Sequence, residues 1–294
     1  MDNNSVVLII DDTVTNLAIL SECLKGNYQI ITANNGKDGI NIAQQQPKPD
    51  LILLDIEMPG LSGYQVCKLL KENPSTSDIP IIFVTGKSSL KDEEKGFNLG
   101  AVDYITKPIH PEIVLARSKA QITLKKQTEK LEKMALFDQL TNMYNRHFFL
   151  EAAKKRISAA VEHQFPLSAM MIDIDLFKLI NDQHGHIAGD SVIKSIGKLL
   201  NNEYKNENIA ARFGGEEFVV LLDHCKVEEA FIEANKLRQK IEELNPINLK
   251  VTVSIGVSEL INNERSFNGL LDRADQSLYL AKEQGRNRVV QYKS

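Results

Sequence analysis

The sequence lacks the features of several specialised protein classes. Its cysteines, Cys23, Cys67 and Cys225, are scattered and form no CxxC pair, which indicates reduced, mostly buried thiols in a cytoplasmic protein. No apolar run approaches the ~20 residues that a membrane-spanning helix needs. The stretch "MDNNSVVLII" has neither the basic region nor the cleavage site of a signal peptide. We therefore expect a cytoplasmic protein with no membrane partner.

An excess of positive charge is also absent. The net charge is −4 over 294 residues, whereas nucleic-acid binding usually leaves a basic footprint, so we expect no nucleic-acid partner. A few local cations would still suffice for a small anionic ligand. Hydrophobic residues make up 43% and charged residues 25%, the balance of a globular protein. The length predicts about two domains of roughly 150 residues each.

In the first half of the chain, short apolar runs alternate with helix-length segments. This alternation predicts a doubly wound, five-stranded parallel sheet with helices on both faces. Ligands of such sheets bind beyond the carboxyl ends of the strands. The predicted strands are 6–10, 28–33, 51–55, 79–85 and 102–106.

Polar residues stand at the carboxyl ends of these predicted strands. The first strand ends in Asp11 and Asp12, and the third ends in Asp55. Three carboxylates at one edge repel one another and would hold Mg²⁺ through oxygen ligands. Thr85 and Lys107, at the ends of the fourth and fifth strands, suit a phosphoryl group that Asp55 could accept as nucleophile. Each acid alone could simply cap a helix or loop, but the complete set favours a phosphoryl site.

Residues 5 to about 122 resemble a response-regulator receiver domain, and we assign 1–122 to it. The motifs are "IIDD", "LLDIEMPGLSGYQVC", "FVTG" and "DYITKPI". The resemblance implies that Asp55 accepts a phosphoryl group from an upstream histidine kinase. It also implies one Mg²⁺ bound by Asp12, Asp55 and the carbonyl of Glu57, with Asp11 acting mainly through water. The remaining residues that it implies are Thr85 and Lys107, which contact the phosphoryl group, and the aromatic switch Tyr104, which turns inward when Thr85 moves.

Residues 111–136 contain no glycine and no internal proline, which predicts one helix about 39 Å long at ~1.5 Å per residue. Small or apolar residues recur at the alternating three- and four-residue spacing of a coiled-coil seam. Packing of this stripe on its own receiver fits the first turns. Beyond Leu124 we favour a parallel helix pair between two chains. The seam comprises Ile113, Ala116, Ala120, Leu124, Leu131 and Met134, with Gln127 as a polar interruption.

The second half, 137–294, combines helices with adjacent hairpins and predicts an α+β domain. Two apolar strands flank Gly214-Gly215, a turn in which glycine permits positive φ. Successive side chains on a strand point to opposite faces. Glu216 and Glu217 should therefore face different ways, and one of them can reach Asp173 at the end of "LSAMMIDID".

A cluster of Asp173 and Glu216 would bind Mg²⁺ and, through it, a triphosphate. Two metal ions could activate a sugar hydroxyl and neutralise a leaving pyrophosphate. Lys178 follows the acids, while Lys282 and Arg286 share a helix face if the last long helix persists that far. The alternative for this last pair is an ordinary solvated helix end, where cations favour the helix dipole.

Two further polar residues suit recognition of a base. Asn181 lies in "LINDQHGH", and Asp190 precedes "SVIKSIGKLL". A carboxylate can accept from two donors on the Watson–Crick edge of guanine, and a mismatched base would leave it unpaired. Taken alone, Asp190 is more simply explained as the N-cap of the helix that follows it.

Residues from about 137 to 294 resemble a GGDEF-type diguanylate cyclase domain, through "GGEEF", "FDQLTNMYNR", "DIDLFKLINDQHGHIAGD" and "AKEQGRN". The resemblance implies that two GTP become cyclic di-GMP and two pyrophosphates across a homodimer, with two Mg²⁺ per cyclase site. The implied residues are the metal ligands Asp173, Ile174 (carbonyl) and Glu216, the catalytic Glu216, Glu217 and Lys178, the guanine-binding Asn181 and Asp190, and the phosphate-binding Lys282 and Arg286.

One departure concerns the inhibitory product site of the family, an Arg-x-x-Asp before the glycine pair. Here the matching stretch is "KNEN", with Lys205 and Asn208 at the two positions. Lysine cannot make the bidentate contact of arginine, so we expect this site to be absent or weak.

The sequence thus predicts a phosphorylation-regulated diguanylate cyclase. Two alternatives stay open. One is a catalytically idle sensor of GTP or of a cyclic dinucleotide, and the other is a cyclase that makes a mixed purine dinucleotide. The acids at positions 173, 216 and 217 with Lys178 argue against the first, and Asn181 with Asp190 favours guanine over the second.

Overall fold

The structure is a computed structural model that describes residues 5–86, 90–204, 208–261 and 267–293. The chain divides into two compact units, Met1–Leu131 and Glu132–Ser294. Each unit contains one five-stranded sheet. The domain limits that we infer from the sequence, at residues 122 and 137, remain predictions.

The first unit is a parallel sheet with strand order β2-β1-β3-β4-β5. This confirms the predicted doubly wound fold. Its strands are β1 (Val6–Ile10), β2 (Gln29–Ala33), β3 (Leu51–Asp55), β4 (Ile81–Thr85) and β5 (Asp103–Thr106), and its helices are α1 (Val14–Leu24), α2 (Gly36–Ala43), α3 (Gly63–Glu72), α4 (Leu90–Asn98) and α5 (Pro111–Leu136).

The three inner strands, β1, β3 and β4, are buried at every residue. Helices cover both faces of a parallel sheet, so its inner strands need apolar side chains on both sides. Polar residues are accommodated only where each strand ends. All carboxyl ends of a parallel sheet lie at one edge, and the acids that follow β1 and β3 therefore become neighbours.

Helix α5 buries a different stripe from the one that we predicted. Val114, Ser118 and Ile122 are buried, and Val114 and Ile122 pack into the core beneath β1, β3 and β4. These positions are four residues apart and share one helix face. The predicted seam, including its first turns, lies on other faces and is exposed. The interpretation that the early seam packs on its own receiver is therefore wrong. The exposed residues are Ile113, Ala116, Ala120, Leu124, Gln127, Leu131 and Met134.

The second unit is an α+β domain with strand order β10-β9-β6-β8-β7. All strand pairs are antiparallel except β9 with β10. Its strands are β6 (Leu167–Ile174), β7 (Ile209–Gly214), β8 (Glu217–Asp223), β9 (Val253–Glu259) and β10 (Val289–Gln291), and its helices are α6 (Arg146–His163), α7 (Phe177–His184), α8 (His186–Glu203), α9 (Val227–Leu244) and α10 (Phe267–Glu283), with a short 3-10 turn at Pro246–Asn248.

The central strand β6 is buried at all eight residues because a hydrophobic core lies on each face of the sheet. Residues of α8 and α9 form one core with alternate residues of β6 and β8, and residues of α6 and α10 form the other. The apolar run of β6 therefore ends where the two cores end, and Asp173 and Asp175 lie at that end of the strand.

The described residues contain neither a disulfide nor a helix suited to a bilayer. All three cysteines are free, but only Cys67 is buried, while Cys23 and Cys225 are half-buried. The expectation of mostly buried thiols therefore holds for one residue. None of the described helices combines the length and apolar character that crossing a membrane requires.

Gly256 on β9 should be required for the close approach of α10. A Cβ at this position would lie 2.0 Å from the carbonyl oxygen of Ala274 and 2.3 Å from the backbone nitrogen of Leu278. Backbone cannot rotate away as a side chain can, so we expect Gly256→Ala to destabilise the second unit by at least about 1–3 kcal/mol. Denaturant unfolding measures the change. Gly214→Ala is the control, since a Cβ there meets nothing within 4 Å, and an equal loss in both variants would contradict the explanation.

Candidate functional site

Three carboxylates converge at the carboxyl edge of the first sheet. Asp11, Asp12 and Asp55 each place one oxygen within 4.8 Å of the others. Across residues 5–86, 90–204, 208–261 and 267–293, this is the one group of three or more potential metal-binding side chains gathered so closely. Hard oxygen donors at this spacing suit Mg²⁺.

Lys107 balances the charge of this acidic edge. Its Nζ lies 3.1 Å from Asp11 Oδ2 and 3.0 Å from Asp55 Oδ2. Burial raises the pKa of the Asp55 carboxyl, and contact with the Lys107 ammonium opposes that rise. The pKa of Lys107 is itself raised, because the two acids outweigh the effect of its own burial. Asp11 and Asp55 therefore each lie in contact with the positive charge of Lys107.

Short-range hydrogen bonds orient the acids. Asp11 accepts from the backbone of Thr13 at 2.8 Å and from the Asn16 amide at 3.0 Å. Asp55 Oδ1 accepts from the backbone N–H of Ile56 at 2.9 Å, so its other oxygen faces Lys107. Glu57, whose carbonyl we predict as a ligand, lies two residues further on, outside β3.

The predicted switch residues are both buried. Thr85 ends β4 and is fully enclosed, and Tyr104 on β5 is 7% exposed. The Tyr104 ring contacts Phe83 and Phe97, and its hydroxyl donates to the Asp92 carbonyl at 2.9 Å. The Tyr104 side chain is thus buried in this structure, and its role as a switch remains a prediction.

A second acidic group lies at one end of the second sheet. Asp173 on β6 pairs in register with Glu217 on β8, and directly opposed residues project to the same face. Glu216 precedes Glu217 in the adjoining turn, where its carbonyl accepts from the Ile174 N–H at 3.4 Å. The structure thus brings Asp173, Ile174, Glu216 and Glu217 to one place.

The turn beside these acids is displaced by one residue from the prediction. Gly214 is the last residue of β7, and the turn consists of Gly215 and Glu216, with positive φ (+48°) at Gly215. A register shift between Arg212 and Gly214 accounts for the displacement, because it inserts an extra residue into β7. Gly214 has no positive φ and no neighbour within 4 Å of an added Cβ, which leaves open space beside the acids.

Burial and mutual repulsion perturb this acidic group. Burial raises the pKa of Asp173, the nearby Glu216 charge adds to the rise, and Lys282 opposes it from 2.7 Å. Burial and the Asp173 charge raise the pKa of Glu217. The oxygens of this second acidic group are less tightly gathered than those of Asp11, Asp12 and Asp55, which alone meet the 4.8 Å spacing within the described ranges.

Lys282 and Arg286 do not share a helix face, because the helix does not persist as far as Arg286, the condition on which that prediction depended. Helix α10 ends at Glu283, and Gly285 follows with φ of +112°. The Arg286 N–H closes the end by donating to the Ala281 carbonyl at 3.0 Å, a glycine-terminated cap. Lys282, still within α10, contacts Asp173. Arg286 is exposed in the loop beyond the helix.

Asp175 is a buried acid that the sequence analysis missed. It accepts from Thr252 Oγ1 at 2.7 Å, from Ser254 Oγ at 2.6 Å and from the Asn287 N–H at 3.0 Å. These hydrogen bonds attach the loop that carries Arg286 to β9 and to Thr252, which precedes that strand. The sequence does contain a signal for this residue. Asp175 is two positions from Asp173, so the two side chains are predicted to project from the same face of the strand.

The predicted base-binding residues lie on two adjoining helices. Asn181 Oδ1, on α7, is buried and has no hydrogen-bond partner within the described part of the chain. It lies so close to α8 that a Cβ on Gly189 would be 2.0 Å away. Asp190 is exposed and is the fifth residue of α8, which begins at His186, so the N-cap explanation is wrong. Lys178 is exposed in the first turn of α7.

A second missed contact anchors the hairpin. Arg212 on β7 donates to both oxygens of Asp138, at 3.1 and 3.2 Å, and to the Gly215 carbonyl at 3.0 and 2.7 Å. Thr141 also donates to Asp138 at 2.7 Å. The segment "FDQLT" is thus connected to the turn that carries Glu216.

The stretch expected to replace the inhibitory product site is only partly described. Lys205 lies outside the described residues. The side chain of Asn208 is engaged in the fold, since its Oδ1 accepts from the backbone N–H of Asp223 at 3.2 Å. That expectation therefore remains a prediction.

Comparison with known proteins covers both units. Two family models match: "Response regulator receiver domain" over residues 7–119 and "Diguanylate cyclase, GGDEF domain" over residues 135–288. Response regulator PleD of Caulobacter vibrioides is 31% identical over 255 residues, which cover 82% of this chain and 56% of PleD. The chain spans about half the length of the curated relatives that it matches.

Two solved structures of DgcB from Caulobacter crescentus in complex with c-di-GMP are also similar. Its GGDEF domain matches with a TM-score of 0.51 and 30% identity, over 54% of this chain and 97% of that chain. Its coiled coil with the GGDEF domain matches with a TM-score of 0.54 and 29% identity, over 61% of this chain and 98% of that chain.

Asp138→Asn should remove a pH-dependent part of the stability. Burial alone raises the pKa of the Asp138 carboxyl, but hydrogen bonds from Thr141 and Arg212 outweigh burial and lower it. A lowered pKa stabilises the fold above the ordinary value of about 3.9 and ceases to do so as pH falls through the folded value. We expect the variant to lose about 1–3 kcal/mol at pH 7.

The difference between wild type and variant should shrink below about pH 4, as measured by denaturant unfolding across a pH series. Glu151→Gln is the control, because Glu151 pairs with Lys154 on the open surface and such pairs contribute little. A difference that stays constant down to pH 3, well below the ordinary value near 3.9, would contradict the assignment.

Proposed function

This chain belongs to the diguanylate cyclase family defined by the GGDEF domain and also carries a response-regulator receiver domain, and on that premise we propose that it condenses two GTP into cyclic di-GMP under control of phosphorylation at Asp55. One observation carries the proposal. Strands β6 and β8 hold Asp173 opposite Glu217, with Glu216 in the adjoining turn and Lys282 against Asp173. Carboxylates brought together in this way suit a divalent cation and the phosphates that accompany it.

The donor set fits magnesium. Asp173, the Ile174 carbonyl and Glu216 would hold one Mg²⁺, and Glu217 would lie beside a second. All of these donors are hard oxygens. Burial raises the pKa values of Asp173 and Glu217, and the charges of neighbouring carboxylates add to the rise, so a bound cation would stabilise the ionised acids. Bound Mg²⁺ supplies charge neutralisation on the phosphates and acidifies a coordinated hydroxyl. The receiver would hold one further ion through Asp11, Asp12 and Asp55.

The chain's own residues would then act on the two nucleotides as follows. Glu216 accepts the proton of a GTP 3′-hydroxyl, whose oxygen forms a bond to the α-phosphorus of the second GTP. The bond from that phosphorus to the bridging oxygen breaks, and pyrophosphate leaves. The same step in the opposite direction closes the ring, so two pyrophosphates form. Lys178 and Lys282 supply positive charge where negative charge develops.

The α7–α8 pair would select guanine. Asn181 Oδ1 is a buried acceptor without a partner in the described residues, and Asp190 presents an exposed carboxylate on the next helix. Guanine offers N1–H and N2–H₂ donors to such acceptors, whereas adenine presents an acceptor at the N1 position. Leaving buried acceptors unpaired is costly, which supports discrimination against adenine. Arg286 would bind phosphate from the loop that Asp175 fixes.

Two copies of the chain would be needed, since each nucleotide attacks the other. Helix α5 offers the surface for this homodimer, because Leu124, Leu131 and Met134 are exposed at coiled-coil spacing. The similarity to the coiled coil and GGDEF domain of DgcB supports a helix pair in this position. The opposite face of the first turns stays on the receiver through Val114 and Ile122.

Phosphorylation would act through the same helix. A histidine kinase would transfer a phosphoryl group to Asp55, in the cytoplasm where GTP is available. The added charge would draw Lys107 and Thr85 toward the phosphoryl oxygens. Repacking of the sheet edge would then shift the receiver surface on which α5 rests and bring two cyclase sites together.

The purified chain should convert GTP with Mg²⁺ into cyclic di-GMP and pyrophosphate, as read by chromatography. Glu216→Gln should lower the rate by about 100-fold or more, because a general base contributes about 10²–10⁴. Glu228→Gln, an exposed residue of α9, is the matched control. Nucleotide binding without any product would instead favour a catalytically idle sensor, and a mixed product on addition of ATP would overturn the guanine assignment.

A small-molecule phosphodonor should accelerate turnover of the wild-type chain and should leave Asp55→Asn at its unstimulated rate, because the amide cannot accept a phosphoryl group. Asp38→Asn, on the exposed surface of α2, should keep the response. Light scattering in the same samples determines whether the mass doubles on phosphorylation. Full stimulation of Asp55→Asn would refute receiver control through this residue.

A further inference from the structure

The loop between α10 and β10 holds three successive residues in the left-handed region. Gly285, Arg286 and Asn287 have φ of +112°, +62° and +46°. Glycine adopts such angles freely, whereas a residue with a side chain does so at a cost. Costly backbone of this kind persists only where the surrounding structure fixes it, and it gathers at functional sites. Contacts outside the loop must therefore hold Arg286 and Asn287 in place.

Two hydrogen bonds hold the backbone of this loop. The Arg286 N–H donates to the Ala281 carbonyl at 3.0 Å, in the last turn of α10. The Asn287 N–H donates to Asp175 Oδ2 at 3.0 Å. Asp175 is buried and is held in turn by two hydroxyl groups at the start of β9. The backbone is thus attached to α10 at Arg286 and to the sheet at the residue that follows.

A third contact reaches the loop from α9, the helix that packs on β9 and β10. Arg238 Nη1 donates to Asn287 Oδ1 at 2.7 Å and to Glu242 Oε2 at 2.8 Å. The Arg238 side chain is largely buried. Hydrogen bonds from Asn287 and Arg238 lower the pKa of the Glu242 carboxyl. Asn287 is therefore held by its backbone on one side and by its carboxamide on the other.

The packing of α9 does not depend on this contact. The helix buries an apolar stripe against the sheet, formed by Ala230, Ala234, Leu237 and Ile241, and such a stripe is what attaches a surface helix to a core. Arg238 contributes something different, because a charge-assisted hydrogen bond is short and directional. It fixes the orientation of the loop residue that receives it.

We propose that Arg238 is a positioning residue, which acts through Asn287 to hold Arg286 where the phosphates of GTP bind. This role rests on the proposed function, in which Arg286 binds phosphate. Because Asn287 directly follows Arg286, release of its carboxamide would let the left-handed backbone relax and would move the Arg286 guanidinium. Arg238 itself is engaged by Glu242 and Asn287 and need not contact the nucleotide.

Calorimetry on the full chain tests this role, with Mg²⁺ and a GTP analogue that carries a methylene group between the α- and β-phosphorus. The analogue cannot release pyrophosphate, so its affinity is measured without turnover. Arg286→Ala should weaken binding about tenfold or more, the effect of losing a charge-assisted hydrogen bond. Arg238→Ala should weaken it about threefold to tenfold, because Arg286 is present but no longer held. Arg238→Lys keeps a cation between Glu242 and Asn287 and should recover part of the loss.

A double variant separates positioning from a general loss of structure. In the Arg286→Ala background, Arg238→Ala should change the affinity by less than about twofold, because changes that act through one contact do not add. Lys236→Ala removes an exposed cation from the same helix and should leave the affinity unchanged. Thermal melts check that each variant folds.

Failure of the phosphate contact and failure of the positioning role give different results. Unchanged affinity in Arg286→Ala would remove the phosphate contact of the proposed function and the positioning role with it. If Arg286→Ala weakens binding, then unchanged affinity in Arg238→Ala, additive losses in the double variant, or equal weakening in Lys236→Ala would overturn the positioning role alone. Because the analogue is bound and not converted, the result does not depend on cyclase activity.

Discussion

The burial of carboxylates at strand ends is the constraint on which both candidate sites depend. Each sheet places acids where an apolar strand leaves its core, and burial raises the pKa of one acid in each group, Asp55 and Asp173. Each of these acids has one lysine in contact, Lys107 at 3.0 Å and Lys282 at 2.7 Å. A buried carboxylate without such a partner would be strongly unfavourable. In both sites, therefore, a lysine beside the buried acid opposes the rise of its pKa.

The two sites differ in how rigidly their acids are held. In the receiver, adjacent parallel strands fix Asp11 and Asp55 directly, and the oxygens lie within 4.8 Å. In the cyclase unit, β6 holds Asp173, but Glu216 depends on a two-residue turn. Arg212 holds that turn through the Gly215 carbonyl. The position of an acid in the second site is thus set partly by Asp138, a residue far away in sequence.

The sequence was sufficient for the parts of this structure that follow from local pattern. Alternation of apolar runs and helices predicts both sheets, and the strand ends predict Asp11, Asp55 and Asp173 as neighbours of other acids. The predicted turn lies one residue too early, because the bulge in β7 cannot be recognised from the sequence "ARFGGEEF". The contacts of Asp138 with Arg212 and of Asp175 with Asn287 join residues 74 and 112 positions apart, and no local rule predicts such pairings.

Helix α5 shows why one helix can serve two surfaces. Val114 and Ile122 pack on the receiver core, and between them Ser118 buries a hydroxyl that has no hydrogen-bond partner in the described residues. An unpaired buried hydroxyl costs about 1–3 kcal/mol, so this contact is less stable than an all-apolar one. The exposed face of the same helix, with Leu124 and Leu131, is unaffected by that cost. Under the proposed control, a modest change at the sheet edge is therefore enough to shift α5 on the receiver, while a coiled-coil partner on the other face carries the movement toward the cyclase units.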